Sequence, residues 1–135
     1  MALFVPSVGE TKFLEFALGV NAPSAISCHL YSNNVVPGDD DVVATYTEMA
    51  AGSYVSTLIQ PADWTLVFRS KKAEARGVQQ IFSFDISANI IAYGYYLVDS
   101  ASGVLLAAER FSQPKSLLYK GDRVIVTPKI TFRSG

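Results

Sequence analysis

The chain has 135 residues, of which half are apolar, 12% are aromatic and only 17% are charged, and its formal net charge is −1. This length predicts one domain over residues 1–135, and the high hydrophobicity with low net charge excludes a disordered chain. No nucleic-acid binding is expected, because it depends on a clear basic excess. With fewer charges than the roughly 25% of a typical domain, the chain is expected to hide part of its surface in an assembly.

Alternation of apolar and polar residues with a period of two predicts strands along most of the chain. In the first half these strands are residues 11–19, 25–32, 42–46 (weaker), 54–59 and 64–68. Helical features are limited to residues 44–51, which could form a turn or two, and residues 71–77, which have helix-forming composition. Neither segment has a sustained apolar stripe at helical spacing.

The second half contains the most strongly predicted elements. Residues 79–86 alternate well, and two apolar runs, 90–98 and 104–111, flank a five-residue loop with a glycine at its end, which predicts a hairpin. The last predicted strand is 123–132. Pro128 lacks a backbone donor, so that strand is predicted to lie at an edge or to carry a bulge. In total, eight or nine strands predict an all-β antiparallel sandwich or barrel of jelly-roll type.

Rare residues restrict location and chemistry. The single cysteine cannot form an intramolecular disulfide, and one cysteine with one histidine is too few for a zinc site. Residues 1–6 lack the features of a secretory signal, so synthesis in a reducing cytosol is expected. The longest apolar run, residues 90–98, covers about half of the ~20 residues of a membrane helix. We expect no cofactor and no membrane association.

Cys28 and His29 form the first pair with possible chemistry. Neighbours on a strand point to opposite faces, so the thiol and the imidazole are not expected to act as nucleophile and base. We predict a core Cys28 and a surface His29. A Ser-His-acid triad would have to use His29, and no Gly-x-Ser-x-Gly turn supplies a serine. An enzyme is therefore not expected.

Two charged segments are candidate contact sites. Asp39, Asp40 and Asp41 are interpreted as a solvated turn. The alternative is part of a cation site shared between loops or subunits, because calcium needs six to eight oxygens and three aspartates supply only some of them. A calcium-dependent change in melting temperature would distinguish the two. The second segment is basic and contains Arg69, Lys71, Lys72 and Arg76. It is interpreted as a solvated loop or short helix face, with an electrostatic contact with a partner protein as the alternative.

The aromatic residues Trp64, Tyr93, Tyr95 and Tyr96 are candidate interface residues, since tyrosine suits surfaces with one wet end. On a regular strand, Tyr93 and Tyr95 share one face and Tyr96 takes the other. Core packing and a stacking platform for a glycan are the alternatives. A glycine between these tyrosines, Gly94, predicts a bulge or a close approach of another backbone.

Net charge differs sharply between the two halves of the chain. Residues 1–63 have one basic and seven acidic residues, a net charge of −6, whereas residues 64–135 have ten basic and five acidic residues, a net charge of +5. Either the fold intermixes these charges or it forms two patches. In the second case an acidic face of one copy would meet a basic face of the next, which suits heterologous contacts.

Several short segments together resemble small virion structural proteins of tailed bacteriophages, among them capsid decoration or cement proteins. The segments are residues 4–6 (FVP), 15–19 (EFALG), 29–34 (HLYSNN), 46–48 (YTE), 94–98 (GYYLV), 105–111 (LLAAERF) and 121–122 (GD). The resemblance implies a protein made in the host cytoplasm and located in the virion. Its implied partners are the major capsid protein or other virion proteins, with self-association, a trimer being favoured. A tail, neck or fibre component is the first alternative, and a glycan-binding module the second.

Overall fold

The computed structural model describes residues 3–20, 22–50, 52–69, 72–85 and 90–133. This part of the chain contains one α-helix, two short 3-10 turns (Val43–Thr45 and Pro61–Asp63) and nine strands. In chain order the helix and strands are α1 (Ser7–Ala17), β1 (Ile26–Tyr31), β2 (Thr57–Ile59), β3 (Thr65–Arg69), β4 (Lys72–Arg76), β5 (Gln80–Ser83), β6 (Ile90–Asp99), β7 (Leu105–Leu117), β8 (Arg123–Val126) and β9 (Lys129–Arg133).

The strands form three antiparallel sheets. A central sheet has the order β2-β1-β6-β7, a second sheet has the order β3-β4-β9, and β5 pairs with β8. The described strands do not close into a barrel, so the all-β, sandwich-like prediction is confirmed in its sandwich form and in its strand number. The predicted hairpin is β6 and β7. No helix in the described ranges is long and apolar enough to cross a membrane.

The main core lies between the central sheet and the β5–β8 pair. The central sheet contributes side chains from all four of its strands, and β9 closes one end of the core with Ile130. Helix α1 packs against β7 and adds Phe13 and Phe16 at the margin. Cys28 lies in this core, as predicted. Its other buried members include Leu30, Ile59, Phe82, Phe84, Tyr95, Leu97, Leu106, Leu117, Val124 and Val126.

The opposite face of the central sheet is also covered. Tyr31 and Tyr96 on this face form a second cluster with Tyr46, and Val35 and Val43 of the 33–46 segment pack against it. Burial on both faces explains why β6 is an almost continuous apolar run instead of an alternating one.

The first predicted strand, residues 11–19, is wrong, because this region belongs to helix α1. The inner face of the helix consists of Gly9, which lies against the β7 backbone, and of Phe13 and Phe16, which pack against the core, at the i, i+4, i+7 spacing of a helix face. Leu14 and Leu18, which produced the period-two pattern, are exposed. Lys, Leu, Glu and Ala are good helix formers, so local propensity agrees with the observed helix.

Two other segments also differ from their predicted structure. Residues 42–46 contain a 3-10 turn instead of a strand, and the Thr45 hydroxyl accepts a hydrogen bond from the Val42 N–H at 3.1 Å. Residues 72–76, given helix-forming composition, are strand β4, because hydrogen-bonded neighbours on both sides outweigh propensity. In the 79–86 prediction, Ile86 lies outside the described residues.

Residues 123–132 are two strands, not one. They separate at Pro128, which is fully buried and outside both ladders, and the chain there leaves β5 to pair with β4. Proline interrupts a ladder because it has no N–H. At Gly94 the predicted close approach is present: the β6–β7 register shifts between Ala92 and Gly94, and a side chain there would meet the Glu109 carbonyl.

Candidate interaction surface

His29 lies at the centre of a hydrogen-bonded array on one face of β1. Its Nδ1 is 2.6 Å from Glu48 Oε2, and its Nε2 is 2.7 Å from the Ser27 hydroxyl. The imidazole stacks on Tyr96, with ring centroids 4.9 Å apart. An ionised carboxylate only accepts hydrogen bonds, so Nδ1 carries a proton when Glu48 is charged.

The order Ser27–His29–Glu48 is that of a Ser-His-acid relay. Ser27 was not predicted as a site residue, although serine and histidine two positions apart on a strand share a face. A nucleophile needs an open approach for its substrate, whereas Ser27 is only 9% exposed and donates a long hydrogen bond to the Val98 carbonyl at 3.4 Å. The array is therefore suited to holding β1 and Glu48 together.

Tyr54 adds to the hydrogen-bonded array of Ser27, His29 and Glu48 from a neighbouring loop. Its hydroxyl donates to Glu48 Oε2 at 2.9 Å and accepts from the Leu30 N–H at 3.1 Å. Burial raises the pKa of Tyr54, and the bond to Glu48 raises it further. Residue 48 also forms a β-bridge with Tyr31. Together these contacts fix the segment that follows the 33–46 loop against the central sheet.

The acidic loop has an internal structural role. Asp41 accepts hydrogen bonds from the Gly38 N–H at 2.8 Å and from the Tyr46 hydroxyl at 2.7 Å. The Asp39 carbonyl accepts from the N–H of Ser7 at the start of α1, while the side chains of Asp39 and Asp40 are exposed. In the described ranges no group of three or more His, Cys, Asp or Glu side chains is placed to hold a metal ion.

The four predicted aromatic residues do not form one surface. Tyr95 and Tyr96 are 2% and 3% exposed and lie on opposite faces of the central sheet, so neither contributes to a surface of this chain. Tyr93 packs with the cluster of Tyr96, not with Tyr95 as predicted, because the bulge at Gly94 reverses the alternation. Half-buried Trp64 packs against the main core. A glycan platform made of these rings is thus not formed.

The basic segment lies in the β3-β4-β9 sheet. Arg69 ends β3, Lys72 begins β4, and Lys71 between them lies outside the described residues. Lys72 occupies the register position opposite Arg69 on one side and Arg133 on the other. Arg76 pairs with Glu74 at 2.5 Å. Residues 65–76 and 129–133, which contain these strands, have six basic residues and one acidic residue, a net charge of +5.

This sheet, which we call the amphipathic sheet, separates its residues by face. Leu66 lies opposite Ala75, Phe68 lies opposite Ala73, and Ala75 in turn faces Ile130. Because directly opposed residues share a face, this face is apolar. The other face is largely polar and consists of Thr65, Val67, Lys72, Glu74, Arg76, Lys129 and Thr131.

The apolar face is buried only at one end. Ile130 is 5% exposed in the core, whereas Leu66 and Phe68 are 81% and 76% exposed. These two large apolar side chains are neighbours on one face of the sheet, and both lie in solvent. Leu66 and Phe68 were not predicted as surface residues. The period-two pattern was visible in residues 65–68 and 72–76, but it did not reveal which face the molecule covers.

No family model matches the chain, and neither the curated proteins nor the solved structures contain a significant match to it.

Proposed function

We propose that the protein is a structural component of a bacteriophage virion, a decoration or cement protein that binds the assembled head. The observation that supports this proposal is the amphipathic sheet, which presents Leu66 and Phe68 to solvent on one face and basic residues on the other. Such a surface suits a protein partner of extended area better than a small substrate. The phage-like sequence segments supply the class of assembly.

Stabilisation of a head by such a protein is a linkage effect. A protein that binds the assembled shell but not its separated parts shifts the equilibrium toward the shell by mass action. Burial of Leu66 and Phe68 would contribute about 1.5–3 kcal/mol each at most. The surrounding charges would mainly set specificity and association rate. Because many copies act together, modest affinity at each site gives a large total effect.

The location is tested by labelling intact particles with an antibody against this protein and viewing them by negative stain. Signal over the head supports decoration, and signal confined to the tail or neck supports the alternative of a tail, neck or fibre component. Absence of the protein from purified particles would overturn both.

The stabilising role is tested by heating particles with and without the protein. Particles that lack it are expected to release their genome at a lower temperature, and re-addition of the purified protein restores the original value. Equal release temperatures would rule out a cement role.

The surface is tested by the double substitution Leu66→Ser and Phe68→Ser. Both side chains are exposed, so the fold is retained while incorporation into particles decreases. Val55→Ser is the matched control, because Val55 is 71% exposed and lies outside the amphipathic sheet. Equal incorporation of the double variant and the control would show that the amphipathic sheet is not the contact.

A further inference from the structure

We propose that β3 pairs with β3 of a second copy of the same chain, antiparallel and about a two-fold axis at Val67. The two three-stranded sheets then become one six-stranded sheet that runs through both copies. This inference goes beyond the proposed function and does not depend on it, because the pairing needs no other virion protein.

The outer side of β3 is an open sheet edge. Among the described strands β3 pairs with β4 alone, in a ladder that extends from Thr65 to Arg69. In an antiparallel ladder, alternate residues direct their N–H and C=O groups to the neighbouring strand and away from it. The free side of β3 therefore presents unpaired backbone donors and acceptors, which are a template for another strand. Thr65, Leu66 and Phe68 are also exposed, as expected for an uncovered edge.

Two other edge strands contain residues that oppose such pairing. Strand β9, at the other edge of the same sheet, begins with the exposed Lys129, and β7 contains the exposed Pro114 and Lys115. Lysine and proline commonly keep edge strands from pairing with other chains. Residues 65–68 contain neither, and three of these four residues are apolar. The β3 edge is therefore more open to association than those of β7 and β9.

The β3 sequence complements itself when the strand is reversed about Val67. Position 66 of one copy then lies opposite position 68 of the other, and position 65 lies opposite position 69. Opposed positions differ by an even number of residues, so outward-facing backbone groups meet outward-facing groups along the whole ladder. Leu66 of each copy lies beside Phe68 of the other on the apolar face. No two basic positions are directly opposed.

The basic residues of the polar face stay apart in this arrangement. Lys72 and Arg76 lie on β4, and the β4 strands of the two copies are separated by three strand spacings, about 14 Å. This distance exceeds the Debye length of about 8 Å at physiological ionic strength. Arg76 is also paired with Glu74 of its own chain. Edge pairing thus joins the apolar residues of two sheets while their basic residues remain largely screened.

The size of the contact sets its strength. Strand β3 has five residues, far fewer than the roughly 20–30 residues on each side of a standard interface. We therefore expect a weak dimer that is populated at tens to hundreds of micromolar protein. Because the contact is two-fold symmetric, it closes at two copies. Leu66 and Phe68 of both copies lie on the same face of the joined sheet and form one apolar patch.

Disulfide trapping tests the register. Val67→Cys places two thiols at the two-fold axis, where the Cα atoms of opposed residues are about 4.5–5.5 Å apart, within the range of a disulfide. Thr65→Cys is the matched control, because position 65 and its counterpart are four residues apart along the ladder, about 14 Å. The native Cys28 is buried and does not compete. With oxidised glutathione, Val67→Cys is expected to form a covalent dimer about tenfold faster than Thr65→Cys.

Two double substitutions test the same register without a covalent bond. Leu66→Lys with Phe68→Lys places like charges opposite each other in both cross-strand pairs, whereas Leu66→Lys with Phe68→Glu places opposite charges there. Both variants lose the same two side chains, which are 81% and 76% exposed, so both are expected to fold, as a thermal melt checks. The like-charge variant is expected to dimerise with a Kd about tenfold higher than the opposite-charge variant, measured by sedimentation, and the difference shrinks at high salt.

Wild-type protein that stays monomeric at hundreds of micromolar would overturn the proposal. So would equal Kd values for the two double variants. A dimer that Val67→Cys traps no faster than Thr65→Cys would also overturn it, because the copies would then meet through another surface, such as the apolar face. Monomeric protein that is still found in particles would refute this inference alone, and a dimer that is absent from particles would refute the proposed function alone.

Discussion

The substitution Gly94→Ala probes how closely β6 and β7 approach each other. A Cβ at residue 94 would lie 2.2 Å from the Glu109 carbonyl oxygen and 2.6 Å from both the ring and the hydroxyl of Tyr31. Tyr31 is fully buried, packs against Tyr46 at 4.8 Å between ring centroids, and donates to the Val35 carbonyl. Neither neighbour is the free end of a flexible side chain, so the strands themselves would have to separate.

The expected cost follows from overpacking. An added methylene in a well-packed core costs about 1–3 kcal/mol, and more where backbone must move. Alanine recovers about 0.5–1 kcal/mol of the entropy that glycine loses in a strand. We therefore expect a net loss of about 2 kcal/mol in the free energy of unfolding, near the upper end of this difference. For a chain of this size, at about 4 °C per kcal/mol, this corresponds to a decrease of roughly 8 °C in Tm.

The assay is thermal and urea unfolding followed by circular dichroism. Gly38→Ala is the matched control, because a Cβ there meets only the Asp41 carboxylate at 3.6 Å, an ordinary contact. The control is expected to unfold within about 2 °C of wild type. If Gly94→Ala had the same Tm and urea midpoint as the control, the close approach of β7 to residue 94 would be refuted.

Three further predictions concern buried polar and titratable groups. Tyr54→Phe removes the hydroxyl that accepts from the Leu30 N–H and is expected to lower the free energy of unfolding in urea by about 1–3 kcal/mol. An unchanged urea midpoint would show that the hydrogen bonds of Tyr54 do not stabilise the fold. Burial raises the pKa of Asp99, but hydrogen bonds from Ser102 and Ser24 lower it more, so the net shift is downward from 3.8. The ionised carboxylate of Asp99 therefore stabilises the fold fully above its unfolded pKa, and this stabilisation is lost as pH falls through its folded pKa. Asp99→Asn should lower Tm at neutral pH by an amount that shrinks in acid. A difference in Tm between the variant and wild type that stays constant with pH would contradict this. Burial raises the pKa of the Cys28 thiol to about 12. Because the thiolate is the reactive form, a thiol reagent should label Cys28 only in denaturant. Rapid labelling of the native protein would contradict the core position of Cys28.

Several elements were predictable because their signal is local. Alternation with a period of two located β1 and β5, since each strand presents successive side chains to opposite faces. A short apolar run located β3, and two apolar runs around a loop that ends in glycine located the β6–β7 hairpin. Gly94 was interpreted correctly as a close approach of another backbone, because the effect follows from the chemistry of one residue. Pro128 was predicted to place one strand at an edge or to give it a bulge, whereas the chain changes sheets there.

Helix α1 shows where local patterns become ambiguous. Residues 11–19 satisfy a period of two, but Phe13 and Phe16 also continue the helical spacing that starts at Gly9. The burial of this second set against the core, with Gly9 at the Leu106 carbonyl, distinguishes the helix from a strand. The tyrosines of β6 are a second case, because one bulge exchanges the faces of every residue on one side of it.

By itself, the sequence determined that this is a charge-poor, antiparallel β protein with a buried thiol and an uneven distribution of charge. Only the tertiary structure decided where that charge lies, because residues 72–76 and 129–133 are brought side by side by long-range pairing that no local pattern encodes. The same pairing leaves Leu66 and Phe68 in solvent, and a strand's alternation is identical whether its apolar face meets a core or water. Likewise, β1 places Ser27 beside His29 by its own periodicity, but Glu48 reaches them only because the chain returns to the edge of the central sheet.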